Sequence, residues 1–360
     1  MHAELKSHVL ADVSRLIDSG AFVNGDAVAD FERAFARYCG RHECVGTSSG
    51  LDALRLALIA AGVGPGDEVV LPAQTFVATL EAVVQAGATP VLADVGESDY
   101  NLGPDAAAAA AGERTGALLP VHLYGQLADM SGLAALAERL GCVIVEDACQ
   151  AHGAERDGHT AASAGVAAAF SFYPSKNLGA LGDAGACVTN SPELAATVRA
   201  LREHGQRERH RHELAGYTAR LDTVQALALL RKLPLLEGWN EQRRAAARFY
   251  AEALDEVGDL VLPPVPSGSR PVWHVYVVRT EDPGRLGAFL AERSVATGRH
   301  YPVPLHLAPA FAHLGHRRGD FPVAEALASE GISLPMFPGI TAAELDTVAA
   351  GVRAYFSQGR

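Results

Sequence analysis

Short apolar runs of strand length recur along the first half of this chain, and stretches with helical spacing separate them. The strand-like runs fall at Glu68–Leu71, Thr89–Asp94, Ala117–Leu123, Cys142–Asp147, Val166–Phe172 and Gly185–Thr189. Helical runs lie between them, for example Ala78–Ala86 and Ser131–Leu140. Strict alternation of this kind predicts an α/β fold, with a large, mostly parallel sheet and helices on both faces. Two amphipathic helices come first. Residues 9–20 carry Val9, Leu10, Val13, Leu16 and Ile17 at helical spacing, and Asn24-Gly25-Asp26 caps a second helix with Phe31 and Phe35 on its apolar face.

A chain of 360 residues has room for a second unit. A helical section from about Leu221 to about Leu254 is interrupted at Pro234. The proline-rich stretch Leu262–Ser269 then reads as a linker into a smaller α/β unit, opened by a strand over Val272–Arg279 and closed by a helix over Leu345–Phe356. The expected division is a large domain over residues 1–240 and a small C-terminal one over 241–360.

Sheets of this type bind ligands beyond the carboxyl ends of their strands. Gln74 and Thr75 follow one strand, His122 sits in another, and Asp147 and Gln150 follow a third. Asp147 ends the apolar run Cys-Val-Ile-Val-Glu-Asp, where a carboxylate is stable against a cation or a protonated ring nitrogen. Taken alone, it reads better as a helix N-cap for the run after it. The stretch Cys44–Leu58 passes from a strand through Ser48-Ser49-Gly50 into a helix, and such a helix start is suited to phosphate, although an ordinary capped helix is the commoner reading of Ser-Ser-Gly alone.

The stretch Phe170–Gly185 holds Lys176 among small, aromatic and glycine residues. Lysine occurs only at positions 6, 176 and 232; the other basic side chains are Arg or His. Arg stays charged in a protein, whereas a desolvated Lys can become a neutral amine and form a Schiff base with an aldehyde or ketone. A lysine on a surface loop fits the same residues. Further on, Arg202, Arg207, Arg209 and Arg211 cluster with three histidines in the stretch Leu201–Glu213. Such a loop suits a diphosphate, or is a solvated loop with interspersed Glu.

Composition narrows the partners. A net charge of −12 argues against nucleic acid or an anionic membrane. No apolar run approaches membrane-span length, and the N-terminus lacks the order of a signal peptide. Five cysteines without a CxxC pair read as free thiols in a reducing cytoplasm, with no metal site expected.

Several motifs, taken in order, give the chain a family resemblance. They are Ser-Ser-Gly-Leu-Asp-Ala-Leu at 48–54, Gly-Pro-Gly-Asp-Glu-Val at 64–69, Thr-Phe-Val-Ala-Thr at 75–79 and Pro-Val-His-Leu-Tyr-Gly-Gln at 120–126. Val-Glu-Asp-Ala-Cys-Gln-Ala-His-Gly follows at 145–153, then Phe-Ser-Phe-Tyr-Pro-Ser-Lys-Asn-Leu-Gly at 170–179. Arg-Leu-Asp-Thr-Val-Gln-Ala at 220–226 and Arg-His-Tyr-Pro-Val-Pro-Leu-His at 299–306 complete the set. From about residue 8 to about residue 356 the chain resembles the DegT/DnrJ/EryC1/StrS aminotransferases, most of which act on nucleotide-linked keto sugars.

That resemblance implies a pyridoxal-phosphate enzyme of fold type I, a homodimer with shared active sites. Lys176 would hold the cofactor's aldehyde and shuttle the proton, and Asp147 would pair with the ring nitrogen. Gln150 would reach the phenolic oxygen, and Phe76 would stack on the ring. Gly50, Leu51 and Ser171 would hold the phosphate. His300, Tyr301, Arg299, Arg202 and Arg220 become candidates for the sugar and its diphosphate. The chain departs from the family at Leu51, where a Thr is usual. It departs again in Gly216-Tyr-Thr-Ala-Arg220, where Thr218 replaces an Asn that contacts the phosphate of the other subunit.

The activity implied is transfer of an amino group, from L-glutamate, to the keto group of a dTDP-linked deoxysugar. His300-Tyr301-Pro302-Val303-Pro304 resembles the family members that act at sugar C-3 more than those that act at C-4, which implies C-3. A free cyclic ketone of the inosose type is the alternative substrate, and a catalytically silent regulatory relative the alternative role.

Overall fold

A computed structural model describes residues 5–357. Seven strands form the main sheet, in the order Glu43–Thr47, Gly185–Thr189, Ala167–Ser171, Val143–Asp147, Thr115–Leu118, Glu68–Pro72, Thr89–Ala93. Only Gly185–Thr189 runs against its neighbours, pairing antiparallel with Glu43–Thr47 and with Ala167–Ser171. The inner strands are apolar and buried, as expected where helices cover both faces: Val69, Val70, Leu71, Val145 and Ala169 have no exposed surface.

Strand periodicity sorts the lysine segment. Phe170 and Phe172 point into the core, where both meet Phe35 at 5.0 Å on the helix Asp26–Tyr38. Ser171 and Tyr173 alternate with them and line the opposite side, at the sheet's carboxyl edge. The chain then reverses into Gly185–Thr189, so Lys176 lies on a turn between two antiparallel strands.

Two expected strands are shorter than their apolar runs. The run Ala117–Leu123 ends as a strand at Leu118, because Pro120 has no N–H to give a ladder; Leu123–Gly125 becomes a 3₁₀ turn. The run Val272–Arg279 is a strand only from Tyr276. Its first residues instead join that turn, with Val272 N–H and His274 N–H donating to the Gly125 and Tyr124 carbonyls at 2.9 Å. Gly125 allows this approach: its φ is +89°, and a Cβ there would lie 2.9 Å from the His274 nitrogen.

Pro234 falls in a 3₁₀ turn between the helices Thr223–Lys232 and Leu236–Ala253. A second core gathers Tyr250, Leu254, Tyr276, Val278, Leu286, Leu290, Ile332 and Val352 around the strand pair Tyr276–Arg279 and Gly331–Leu334. Residues Leu305, Phe311, Phe321 and Ala324, later in the chain, pack in the core of the large sheet with Val69 and Leu71. Among the described residues no helix is long and apolar enough to cross a membrane. All five cysteines are free thiols.

On the strand Val143–Asp147, Glu146 is fully buried and accepts from the N–H groups of Ala162, Ala164 and Gly165 at 2.6–3.0 Å. His122, also fully buried, lies 2.9 Å away through Nε2. Its Nδ1 accepts from Ala128 N–H, so Nε2 carries the proton and donates to Glu146. His122 thereby serves the fold rather than the cavity. Burial alone would push the Glu146 carboxyl up; His122 and the backbone donors outweigh it and hold the group below the ordinary range. Glu146→Ala leaves these donors unpaired, and is expected to cost about 3–5 kcal/mol, read from the denaturant midpoint.

Candidate active site

A cavity of about 480 Å³ opens at the carboxyl edge of the sheet. Its wall brings together Gly50, Leu51, Phe76, Asp147, Gln150, Ser171, Lys176, His300 and Tyr301. These residues come from separate strand ends and from the stretch after the strand Tyr276–Arg279, and the volume of the cavity suits a small ligand.

The Asp147 carboxylate is 6% exposed. It accepts from Thr79 Oγ1 at 2.8 Å and from Cys149 N–H at 3.1 Å, and Thr79 is in turn 3.0 Å from Thr75 Oγ1. Both donors to it are neutral, and Asp147 joins no ion pair among the described residues. A buried carboxylate with only neutral partners is a site for a cation. Across the cavity, burial pushes the Lys176 amine below the ordinary lysine range, while Cys149 and Asp147 pull it back. Its Nζ takes no hydrogen-bond partner among the described residues.

The helix Gly50–Ala60 points its first turn at the same space. Ser49 caps it, accepting from Asp52 N–H at 3.1 Å, and leaves the leading N–H groups free for an anion. Gly50 is needed for closeness: a Cβ there would lie 2.7 Å from Ser171 Cβ and 2.8 Å from Cys149 Sγ. Gly50→Ala is expected to push the helix start off Ser171 and weaken phosphate binding, measured as a raised dissociation constant for pyridoxal phosphate.

Gln150 is held by its neighbours. Tyr124 N–H donates to its Oε1 at 2.7 Å, which turns Nε2 toward the Tyr301 hydroxyl at 3.1 Å. The Tyr301 ring stands 5.3 Å from Phe76, and Gln74 Nε2 donates to the Tyr301 carbonyl at 3.0 Å. His300 is fixed by Ser333 Oγ at 2.7 Å from Nδ1. Burial and the nearby Lys176 push both His300 and His274 down, so each meets the cavity as a neutral imidazole.

Four other candidates lie off this wall. Arg202 is bound to Glu32 and to the Gly46 carbonyl. Arg220 pairs with Glu203 at 2.8 Å, and Arg299 donates to the Ala328 and Ser329 carbonyls at 2.8 Å. Thr218 lies 3.3 Å from His204 through its hydroxyl. In the basic stretch, Arg207 and Arg211 both reach Glu213 at 3.1 Å, so the loop neutralises part of its own charge.

Sequence reasoning missed Thr79 and His274. The motif Thr-Phe-Val-Ala-Thr carried a signal for the first, since residues four apart share a helix face. His274 carried none; it arrives through the pairing of Val272–His274 with the turn at Tyr124 and Gly125.

The donor set fits pyridoxal phosphate. A helix start with Ser171 faces an anion, an uncompensated carboxylate awaits a protonated ring nitrogen, and a free amine lies where an aldehyde can reach it.

Comparison with known proteins gives the same picture. The model of the DegT/DnrJ/EryC1/StrS aminotransferase family matches residues 3–353. A dTDP-3-amino-3,4,6-trideoxy-alpha-D-glucose transaminase of Streptomyces venezuelae is 44% identical, over 98% of this chain and 93% of its own length. A protein of Geobacillus stearothermophilus named pleiotropic regulatory protein is 43% identical, over 99% and 96%. The crystal structure of S. venezuelae DesV with a ketimine intermediate superposes with a TM-score of 0.96 at 44% identity, over 99% and 96% of the two chains.

Proposed function

Because this chain belongs to the DegT/DnrJ/EryC1/StrS aminotransferase family, whose enzymes use pyridoxal phosphate, we propose that it aminates C-3 of a dTDP-linked keto-deoxysugar with L-glutamate as donor. The observation that carries the reading is Lys176, a desolvated amine facing a buried carboxylate across a cavity capped by a helix start. When bound, pyridoxal phosphate supplies an electron sink for the carbanion formed at the donor's α-carbon. Asp147 would hold the ring nitrogen in its protonated form. Lys176, whose amine burial pushes below the ordinary lysine range, would take the α-proton and return it across the ring. Gly50, Leu51 and Ser171 would anchor the phosphate, and Gln150 and Phe76 would orient the ring. His300 and Tyr301 would face the sugar.

The name of the S. venezuelae relative supports the dTDP-linked, C-3 reading. The rim also supports a homodimer. Phe76, Tyr173 and Leu181 are each about half exposed there, and a second copy would cover them. Thr218, Arg202 and Arg220, off this chain's own cavity, would then be placed to serve a neighbouring one.

The test mixes the enzyme and L-glutamate with dTDP-linked 3-keto and 4-keto sugars, and with an inosose, and follows 2-oxoglutarate and the aminated product by mass. The expected product is the 3-amino sugar. A 4-amino product or an aminated inosose would replace the substrate assignment. No product from any of them would favour the regulatory role that the Geobacillus relative's name suggests.

A further inference from the structure

The turn that carries Lys176 is held from behind by side chains outside the cavity. Asn177 Nδ2 donates to Asn240 Oδ1 and to the Val272 carbonyl, each at 2.9 Å. Leu181 N–H donates to Gln225 Oε1 at 2.8 Å. Between these two contacts the Gly179 carbonyl accepts from Lys232 Nζ at 2.5 Å. The turn is closed on itself, since a Cβ at Gly179 would lie 2.4 Å from the Pro174 carbonyl oxygen. A pull on Gly179 is therefore felt at Lys176.

Lys232 is a costly residue where it stands. It is 1% exposed, and among the described residues its one hydrogen-bond partner is that carbonyl, which fills one of the three donors of an ammonium. The acidic side chains of the neighbouring helices are taken: Asp12 by Arg15 and Arg231, Glu32 by Arg202, Glu237 and Glu241 by Arg244. Burial pushes the amine down to about 8. An apolar side chain of similar length would suit the core better. Local rules broken without a packing gain are characteristic of functional positions. Two of the three lysines in the chain thus meet at one turn.

We propose that Lys232 is a positioning residue for Lys176, acting through the Gly179 carbonyl to fix the turn on which the reactive amine sits. The inference rests on Lys176 being that amine, as in the proposed function.

The test is Lys232→Met in the holoenzyme. Its thermal midpoint is expected to equal or exceed that of the wild type. Its kcat should fall by on the order of 10-fold, the loss of one charge-assisted hydrogen bond, with KM for both substrates unchanged. Hydrogen exchange should quicken by a similar factor at the amides of residues 177–181, and not in the central sheet. The wild type alone offers a second reading: protection of those amides should drop, relative to the sheet, as pH rises through about 8 and Lys232 loses its proton. A Lys232→Met enzyme that unfolds overturns the proposal, and so does one with wild-type kcat and wild-type exchange. Lys176→Ala, run beside it, separates the two readings. Activity surviving in Lys176→Ala sinks both, whereas activity lost there and intact in Lys232→Met sinks this one alone.

Discussion

Lys176→Ala is expected to abolish the visible absorbance of lysine-bound pyridoxal phosphate and to lower kcat by at least ~10³-fold, the scale of losing a positioned proton-transfer group. Neither of the other two lysines can substitute. Lys6 lies on the N-terminal helix, and Lys232 is buried and tied to Gly179. The fold should not suffer, because the change removes a desolvated amine that takes no hydrogen bond among the described residues. Folding free energy is expected to stay within about 0.5 kcal/mol or to rise. The sign of the pH dependence follows from the same burial. The folded-state pKa of Lys176 is lowered, so between that value and the ordinary lysine value of 10.5 the unfolded chain binds the extra proton. Stability therefore rises with pH across that window in the wild type, and this contribution is absent in Lys176→Ala. Parallel thermal melts at neutral and alkaline pH check the difference, and a mutant that kept the visible band would refute the assignment.

The large sheet was legible because parallel strands buried on both faces leave uninterrupted apolar runs. Lys176 was legible because the chain elsewhere writes Arg, and Asp147 because it ends a strand without an apolar reason to be there. Ends of strands were less legible. Pro120 cut one run short, and the Val272–His274 segment found its partner in a turn far away in sequence. Arginine placement was least legible. In the sequence, Arg202, Arg220 and Arg299 are candidates for the sugar and its diphosphate, but tertiary contacts bring Glu32, Glu203 and the Ala328 and Ser329 carbonyls to them. A long charged side chain follows whichever acceptor the fold supplies, and spacing along the chain does not reveal it. Thr79 shows the converse. A plain hydroxyl becomes a direct partner of Asp147 only once its helix start is set beside the strand Val143–Asp147.

Asp147→Asn is expected to move stability and catalysis in opposite directions. Among the described residues, the buried side chain accepts from the neutral donors of Thr79 and Cys149 only. In the cofactor-free protein this carboxyl joins no ion pair among the described residues, and Asn of the same shape should be neutral or stabilising there. With pyridoxal phosphate bound, the carboxylate gains the counter-charge it lacks. Removing one partner of a buried charged pair costs about 3–5 kcal/mol, and if the transition state feels that loss, kcat falls by on the order of 10²–10⁴-fold. The thermal midpoint of the cofactor-free variant should therefore match or exceed that of the wild type, while the rise produced by added pyridoxal phosphate should shrink. A cofactor methylated on the ring nitrogen carries its charge permanently and does not need the carboxylate to keep a proton in place. Partial recovery of kcat with that analogue in Asp147→Asn would show that the lost function is stabilisation of the ring charge. If the variant loses stability without cofactor and responds to neither form, Asp147 is a structural cap on the segment after its strand, and the cation site at this position is refuted.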